Sequence, residues 1–119
     1  MFKFEKLEVW QRALDFSDQI YRITREFPTD ERFGLVNQLR RAAVSIAANI
    51  AEGTGRQSDR DFVRFIEIAY GSLLEVVSRL KISERQKFIE KESMDSLMES
   101  ADQLARMLSG FKKSRQARQ

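Results

Sequence analysis

Apolar residues recur at helical spacing through four stretches of this chain, and no stretch alternates with the period of two that a strand requires. In the first, Val9, Ala13, Phe16, Ile20, Ile23 and Phe27 alternate steps of four and three. A second row, Leu7, Trp10, Leu14, Ser17, Tyr21 and Thr24, runs beside it and predicts a broad apolar face. Pro28 is expected to stop this helix, because it disfavours helical geometry at Phe27 and has no N–H to donate. Thr29 or Asp30 then caps a second helix, with an irregular opening around Gly34.

The second helix reads as small-residued on most sides. Ala42, Ala43, Ala47, Ala48 and Ala51 favour helix and allow another backbone to come close. One stripe of it is apolar (Leu39, Ala43, Ile46, Ile50), and the other is polar (Gln38, Arg41, Ser45, Asn49, Glu52). Gly53 and Gly55 are expected to end it in left-handed conformations. Ser58 has the position of an N-cap for the third helix, with Asp61 three residues on as in a capping box. Its stripe, Phe62, Phe65, Ile66, Ala69, Leu73, Val76 and Leu80, predicts the longest helix, about 40 Å at about 1.5 Å per residue. Gly71 inside it suggests a close helix crossing. The fourth pattern is Met94, Leu97, Ala101, Leu104, Leu108 and Phe111, with an acidic outer face.

The expected helices therefore span about 7–27, 30–52, 58–88 and 91–110. Joined by short loops, they predict an all-α, antiparallel up-and-down four-helix bundle over residues 1–111, with a basic flexible tail at 112–119. Folding the second and third helices back about Gly55 places Asn49 level with Phe62 and Arg41 level with Tyr70. From there Arg41 would reach Glu75.

Composition narrows the chemistry. The 119 residues make one domain, large enough for a core without staples. There is no cysteine and no histidine, which argues against disulfides, thiol nucleophiles, zinc sites and histidine acid–base chemistry. No catalytic residue, metal site or cofactor is expected. A carboxylate-only magnesium site stays open, with Glu52, Glu67 and Glu75 near the packed faces. The opening MFKFEKLEVW lacks the apolar core of a signal peptide, and Ala42 to Ala51 is too short to span a bilayer. The expectation is a soluble, cytoplasmic protein with no membrane partner.

The net charge of +3 is unevenly placed. Four of the 21 basic residues, Lys112, Lys113, Arg115 and Arg118, lie in the tail, which leaves 17 against 18 acids elsewhere. Residues 32–64 hold six arginines against three acids, whereas 90–102 hold five acids against Lys91. Such polarity suits a nucleic acid or self-association.

Segments KLEVWQRA (6–13), FPTDERFGLVNQLRRAAVSIAANIAEGTGR (27–56), DFVRFIEIAYGSLLE (61–75) and RML (106–108) resemble the bundle proteins encoded in intervening sequences of bacterial 23S ribosomal RNA genes. The resemblance runs from about Phe4 to about Leu108 and leaves out the tail. It implies a homo-oligomeric ring, commonly a homopentamer, and no catalytic activity. It also implies kinship with the accessory variability proteins of diversity-generating retroelements, which bind nucleic acid and a reverse transcriptase.

The turn Gly53-Thr-Gly-Arg56 is no phosphate loop, since it follows a helix and lacks the Gly-Lys-Ser/Thr ending. Backbone N–H groups opening the third helix, flanked by Arg56, Arg60 and Arg64, still offer a seat for a phosphate. The tail adds four cations and no aromatic, so it can hold phosphates without reading bases. A solvated charged face is the plainer account of any one arginine. The polar stripe Gln38, Arg41, Ser45, Asn49 and Glu52 reads either as a subunit interface or as ordinary buried hydrogen bonding. Together these readings point to a non-enzymatic oligomer that binds RNA or DNA with little sequence specificity. A protein-interaction scaffold, docking through the acidic fourth helix and the small-residue face of the second, is the alternative.

Overall fold

The computed structural model describes residues 1–118. A short 3-10 turn, Lys3–Lys6, leads into α1 (Glu8–Thr24); α2 (Asn37–Thr54), α3 (Asp59–Arg85) and α4 (Lys91–Gln116) follow. The principal extents of 46 × 22 × 22 Å are those of a rod one long helix in length. The helices pack α1 on α2, α2 on α3, α3 on α4 and α4 on α1, which closes the four-helix bundle. No strand occurs among the described residues.

The apolar stripes form the core as expected. Leu39, Ala43, Ile46 and Ile50 of α2 are buried, as are Phe62, Ile66, Ala69, Leu73, Val76 and Leu80 of α3. Val9, Ala13, Phe16 and Ile20 of α1 and Met94, Leu97, Ala101, Leu104 and Leu108 of α4 complete it. The second row of α1 is less covered: Leu14 is exposed, while Trp10 and Tyr21 are half-buried. The two fully buried polar side chains, Thr24 and Ser83, donate to the carbonyls of Ile20 and Arg79 one turn back. Burial of these hydroxyls thus leaves no unmet donor.

Helix boundaries depart from the expected ones where loops tighten. α1 ends at Thr24, three residues early, because the chain passes into i→i+3 turns: Phe27 N–H bonds Thr24 C=O at 3.2 Å. Phe27 then tucks inward against Phe88, with ring centroids 5.5 Å apart. The expected irregular opening of the second helix is a 3-10 turn, Thr29–Glu31, followed by a π turn, Arg32–Val36. Gly34 leaves helical geometry there (φ −108°, ψ −110°), and the Glu31 carboxylate accepts the Leu35 N–H at 3.3 Å.

Three glycine expectations are corrected. Gly53 and Gly55 have no positive φ, and α2 runs through Gly53 to Thr54. Gly53 is needed for space: a Cβ there would lie 2.6 Å from Phe62 Cδ1 and 2.9 Å from Phe65 Cβ. Gly71 marks no crossing within the chain, since a Cβ built on it meets nothing within 4 Å. The left-handed helix end belongs to Lys87 (φ 66°) at the close of α3. There Lys87 N–H bonds Glu84 C=O and Phe88 N–H bonds Ser83 C=O, both at 2.9 Å, the paired bonds of a Schellman cap.

The tail is corrected as well. α4 continues through Lys112, Lys113 and Arg115 to Gln116, so the basic end is helical rather than frayed. Arg115 lies over the rings of Phe62 and Phe111 at 4.4 and 5.0 Å, which gives the last turns something to pack on. Gln119, the last residue of the expected tail, lies outside the described residues.

Two substitutions test this account by urea denaturation. Gly53→Ala should destabilise the bundle by about 1–3 kcal/mol, because the added methyl has no room between Phe62 and Phe65. Lys87→Gly should raise stability by up to about 1 kcal/mol, by relieving a left-handed lysine.

Candidate nucleic-acid interface

The head of α3 is built by its cap. Ser58 is extended (φ −115°, ψ 150°), and its hydroxyl accepts the Asp61 N–H at 3.1 Å, as expected of an N-cap. Asp59 and Asp61 occupy the first turn, where carboxylates favour the positive end of the helix dipole. Around this turn lies a cleft of about 210 Å³. Lys3, Arg56, Arg115 and Arg118 line it with Ser58 and Asp59.

The fold therefore joins Arg56 to two cations of the basic end and adds Lys3, which sequence reasoning missed. Lys3 sits in the 3-10 turn packed on α2, a tertiary placement that carries no periodic signal. Arg60 and Arg64 do not line the cleft; they stand exposed along α3. Lys112 and Lys113 also lie outside it, one turn back along α4.

Most of these cations have anionic neighbours. Asp59 accepts both Arg115 and Arg118 at 3.3 Å. Arg56 bonds Glu52 at 2.9 Å and lies over the Phe65 ring at 4.5 Å. Lys112 bonds Glu67 at 2.9 Å, and Arg64 is 4.0 Å from Asp61. Among the described residues Lys3, Arg60 and Lys113 of this group have no ion-pair partner. The exposed pairs, Arg56–Glu52 and Arg64–Asp61, contribute about 0–1 kcal/mol each, so a phosphate can replace the carboxylate there at small cost.

The polar stripe of α2 divides. Ser45 Oγ meets Ser72 Oγ of α3 at 2.9 Å, and Asn49 Nδ2 donates to the Ser45 carbonyl and hydroxyl at 2.8 and 3.0 Å. Arg79 Nε donates to Gln38 Oε1 at 3.2 Å. Ser45 and Gln38 thus stitch α2 to α3 within one chain and Asn49 bonds back onto its own helix, while Arg41 and Glu52 face outward. The expected Arg41–Glu75 pair is absent among the described residues: Glu75 bonds Arg79, its i+4 neighbour, at 3.2 Å. Register is not the reason. Ser45 and Ser72, like Gln38 and Arg79, are equidistant from the Ser58–Asp59 bond, about one turn past the expected pivot at Gly55. Arg41 is then level with Val76 rather than Tyr70, and Glu75 has its closer partner on its own helix.

Glu52, Glu67 and Glu75 are each tied to a different cation, Arg56, Lys112 and Arg79, and are not brought together. Among the described residues no group of three or more Asp or Glu side chains is placed to hold a metal ion. No described helix is long and apolar enough to cross a membrane.

A family model described as 23S rRNA-intervening sequence protein matches residues 5–110. The chain belongs to that family. A solved crystal structure from Bacteroides thetaiotaomicron, described as a protein of unknown function from the S23 ribosomal protein family, shares the fold with a TM-score of 0.79. It is 26% identical, over 88% of this chain and 98% of that one. No curated protein matches the chain. For this intervening-sequence protein the match ends six residues short of Gln116, so most of the basic end of α4 lies beyond the family model.

Replacing Asp59 by Asn should lower stability by about 1 kcal/mol, since it removes two partly buried pairs and a favourable first-turn charge. Urea melts at low and high salt check this: the loss should shrink as salt rises.

Proposed function

We propose that this intervening-sequence protein is a non-enzymatic homo-oligomer that holds RNA or DNA by its phosphates, with little regard to sequence. The observation that supports this most is the convergence of Lys3, Arg56, Arg115 and Arg118 on one cleft at the head of α3, against a single lining carboxylate, Asp59. Arg60, Arg64, Lys112 and Lys113 extend the same positive end along two helices. Phosphate contacts position a strand without carrying base information, which suits a surface of guanidiniums and ammoniums.

Self-association is supported by the outer face of the α2–α3 pair. Val44, Ile68 and Leu74 are exposed there, with Leu74 at 55%. Ala48 and Gly71 lie between them, and the register places all five near the same level of the rod. Arg41 with Glu75 at one margin and Glu52 with Arg64 at the other flank the face with both signs of charge. A ring, on the resemblance a homopentamer, repeats the basic cleft once per subunit, and weak phosphate contacts then add through multivalency.

The first test is anisotropy of labelled structured RNA and duplex DNA titrated with the full chain at two salt concentrations. Affinity should fall steeply with salt, and Arg56→Gln with Arg118→Gln should flatten the log–log slope on DNA by about 1.8, the value for two lost phosphate contacts. Affinity indifferent to salt would overturn the reading. The assembly has its own test in Gly71→Ala. On a solvent-facing helix the change stabilises by about 1 kcal/mol. Against a second subunit the methyl should instead lower the light-scattering mass at a given concentration, which is the expected result.

A further inference from the structure

The opposite end of the rod holds a second cationic cleft, and its cations are less encumbered. It lies where α1 gives way to the Pro28 turn and the chain re-enters α2, with a volume of about 300 Å³. Arg25, Arg32 and Arg40 line it together with Thr29, Phe27 and Val36, and no carboxylate is among its lining residues. Glu31, the acid next to Arg32 in the chain, is turned away to accept the Leu35 N–H. Arg25, Arg32 and Arg40 make no ion pair among the described residues, whereas Asp59 holds two arginines at the head of α3.

One of the three arginines is preset. Arg40 Nε donates to the buried Thr24 hydroxyl at 2.9 Å, and its guanidinium lies 4.7 Å from the Tyr21 ring centroid. With a further bond from its Nη2 to the Tyr21 carbonyl at 3.5 Å, Arg40 is held in place, so little side-chain entropy remains to be lost on binding an anion. Next in the chain to Arg32, Phe33 is 87% exposed on the π turn, one residue before the Gly34 break. A phenylalanine that far in water has no role in the core of this chain. Phe33 does not line the cleft but follows Arg32 directly in the chain, and an open aromatic ring within one nucleotide's reach of unpaired guanidiniums is the combination that holds a single strand, with phosphate on the cations and an unpaired base on the ring.

The geometry points to a single-strand nucleic-acid site at this end, with a phosphate held by Arg25, Arg32 and Arg40 and the adjoining base stacked on Phe33. The site deepens the nucleic-acid reading and rests on it, but uses none of the residues invoked there. It also gives the protein a way to tell a strand with unpaired bases from a duplex, whose base faces are stacked on one another and closed to Phe33.

The experiment is anisotropy of end-labelled oligothymidylate and of a duplex of matching length. The wild-type chain, Phe33→Ala and the Arg25→Gln/Arg32→Gln double variant are compared across a salt series. Arg40 is left alone because its bonds to Thr24 and Tyr21 are structural. Phe33→Ala should weaken the single strand roughly five- to hundred-fold, as loss of one stacked base does, and leave the duplex unchanged. The double variant should flatten the single-strand salt slope by about 1.4. Wild-type slope and affinity in both variants, with the wild-type chain binding normally, would overturn this site and leave the cleft at the head of α3 standing. Failure of the wild-type chain to bind either probe at low salt would overturn both. A Phe33→Ala chain whose light-scattering mass drops would make Phe33 a subunit contact and overturn the stacking role.

Discussion

The absence of a side chain at Gly53 sets how closely α2 and α3 approach. The ring of Phe62 and the Cβ of Phe65 occupy the volume that any larger residue would need. Ala42, Ala43 and Ala47 carry the same thin wall along α2, all of them buried. Two helices held this close have their register decided by whatever bridges the seam, here Ser45 to Ser72 and Gln38 to Arg79. That register places the head of α3 beside the 3-10 turn of Lys3 on one side and the last turns of α4 on the other. The cationic cleft is thus a consequence of core packing. Its four cations come from three separate segments, the 3-10 turn, the α2–α3 loop and the end of α4, and one methyl group at Gly53 would disturb what holds them together.

The architecture was legible in the sequence because burial is periodic. Every residue of the apolar α2 stripe is buried, and so are nearly all those of the α3 and α4 stripes, since a long helix with one wet side has few ways to pack. Glycines were less legible, because composition cannot say whether a missing Cβ serves φ, space or neither. Gly53 serves space, Gly71 faces open solvent in the single chain, and the one left-handed cap fell to a lysine. The end of α4 was misread for a related reason. Periodicity fades after Phe111, but Arg115 gains its hold from the rings of Phe62 and Phe111 and from Asp59, which no helical pattern on α4 itself encodes.

Site residues divide along the same line. Local spacing grouped Arg56, Arg60 and Arg64, but of the three only Arg56 lines the cleft. Bringing Arg56 together with Arg115, Arg118 and Lys3 needed the tertiary fold. The cleft of Arg25, Arg32 and Arg40 escaped notice because its arginines straddle a proline turn and a π turn, where neither period applies. What the sequence did carry was the excess of arginine over acid across residues 32–64, and two of those six arginines line this second cleft.

Charge is distributed along the rod in a way that constrains how a polyanion would meet it. At one end four lining cations face one carboxylate, and at the other three face none. Between them α4 carries Glu92, Asp95, Glu99 and Asp102 on exposed positions, answered locally only by Lys91, which bonds Asp95. The long axis measures 46 Å, several times the Debye length of about 8 Å at physiological ionic strength, so the two ends do not feel one another through solvent. A strand lying along α4 would therefore gain the cations at its ends only by crossing a repulsive flank. A strand lying across an end meets a cleft where lining cations outnumber lining carboxylates. In a ring whose subunits stand side by side, each end becomes a positive rim repeated once per copy, and a nucleic acid following the rim passes from one subunit to the next without leaving it.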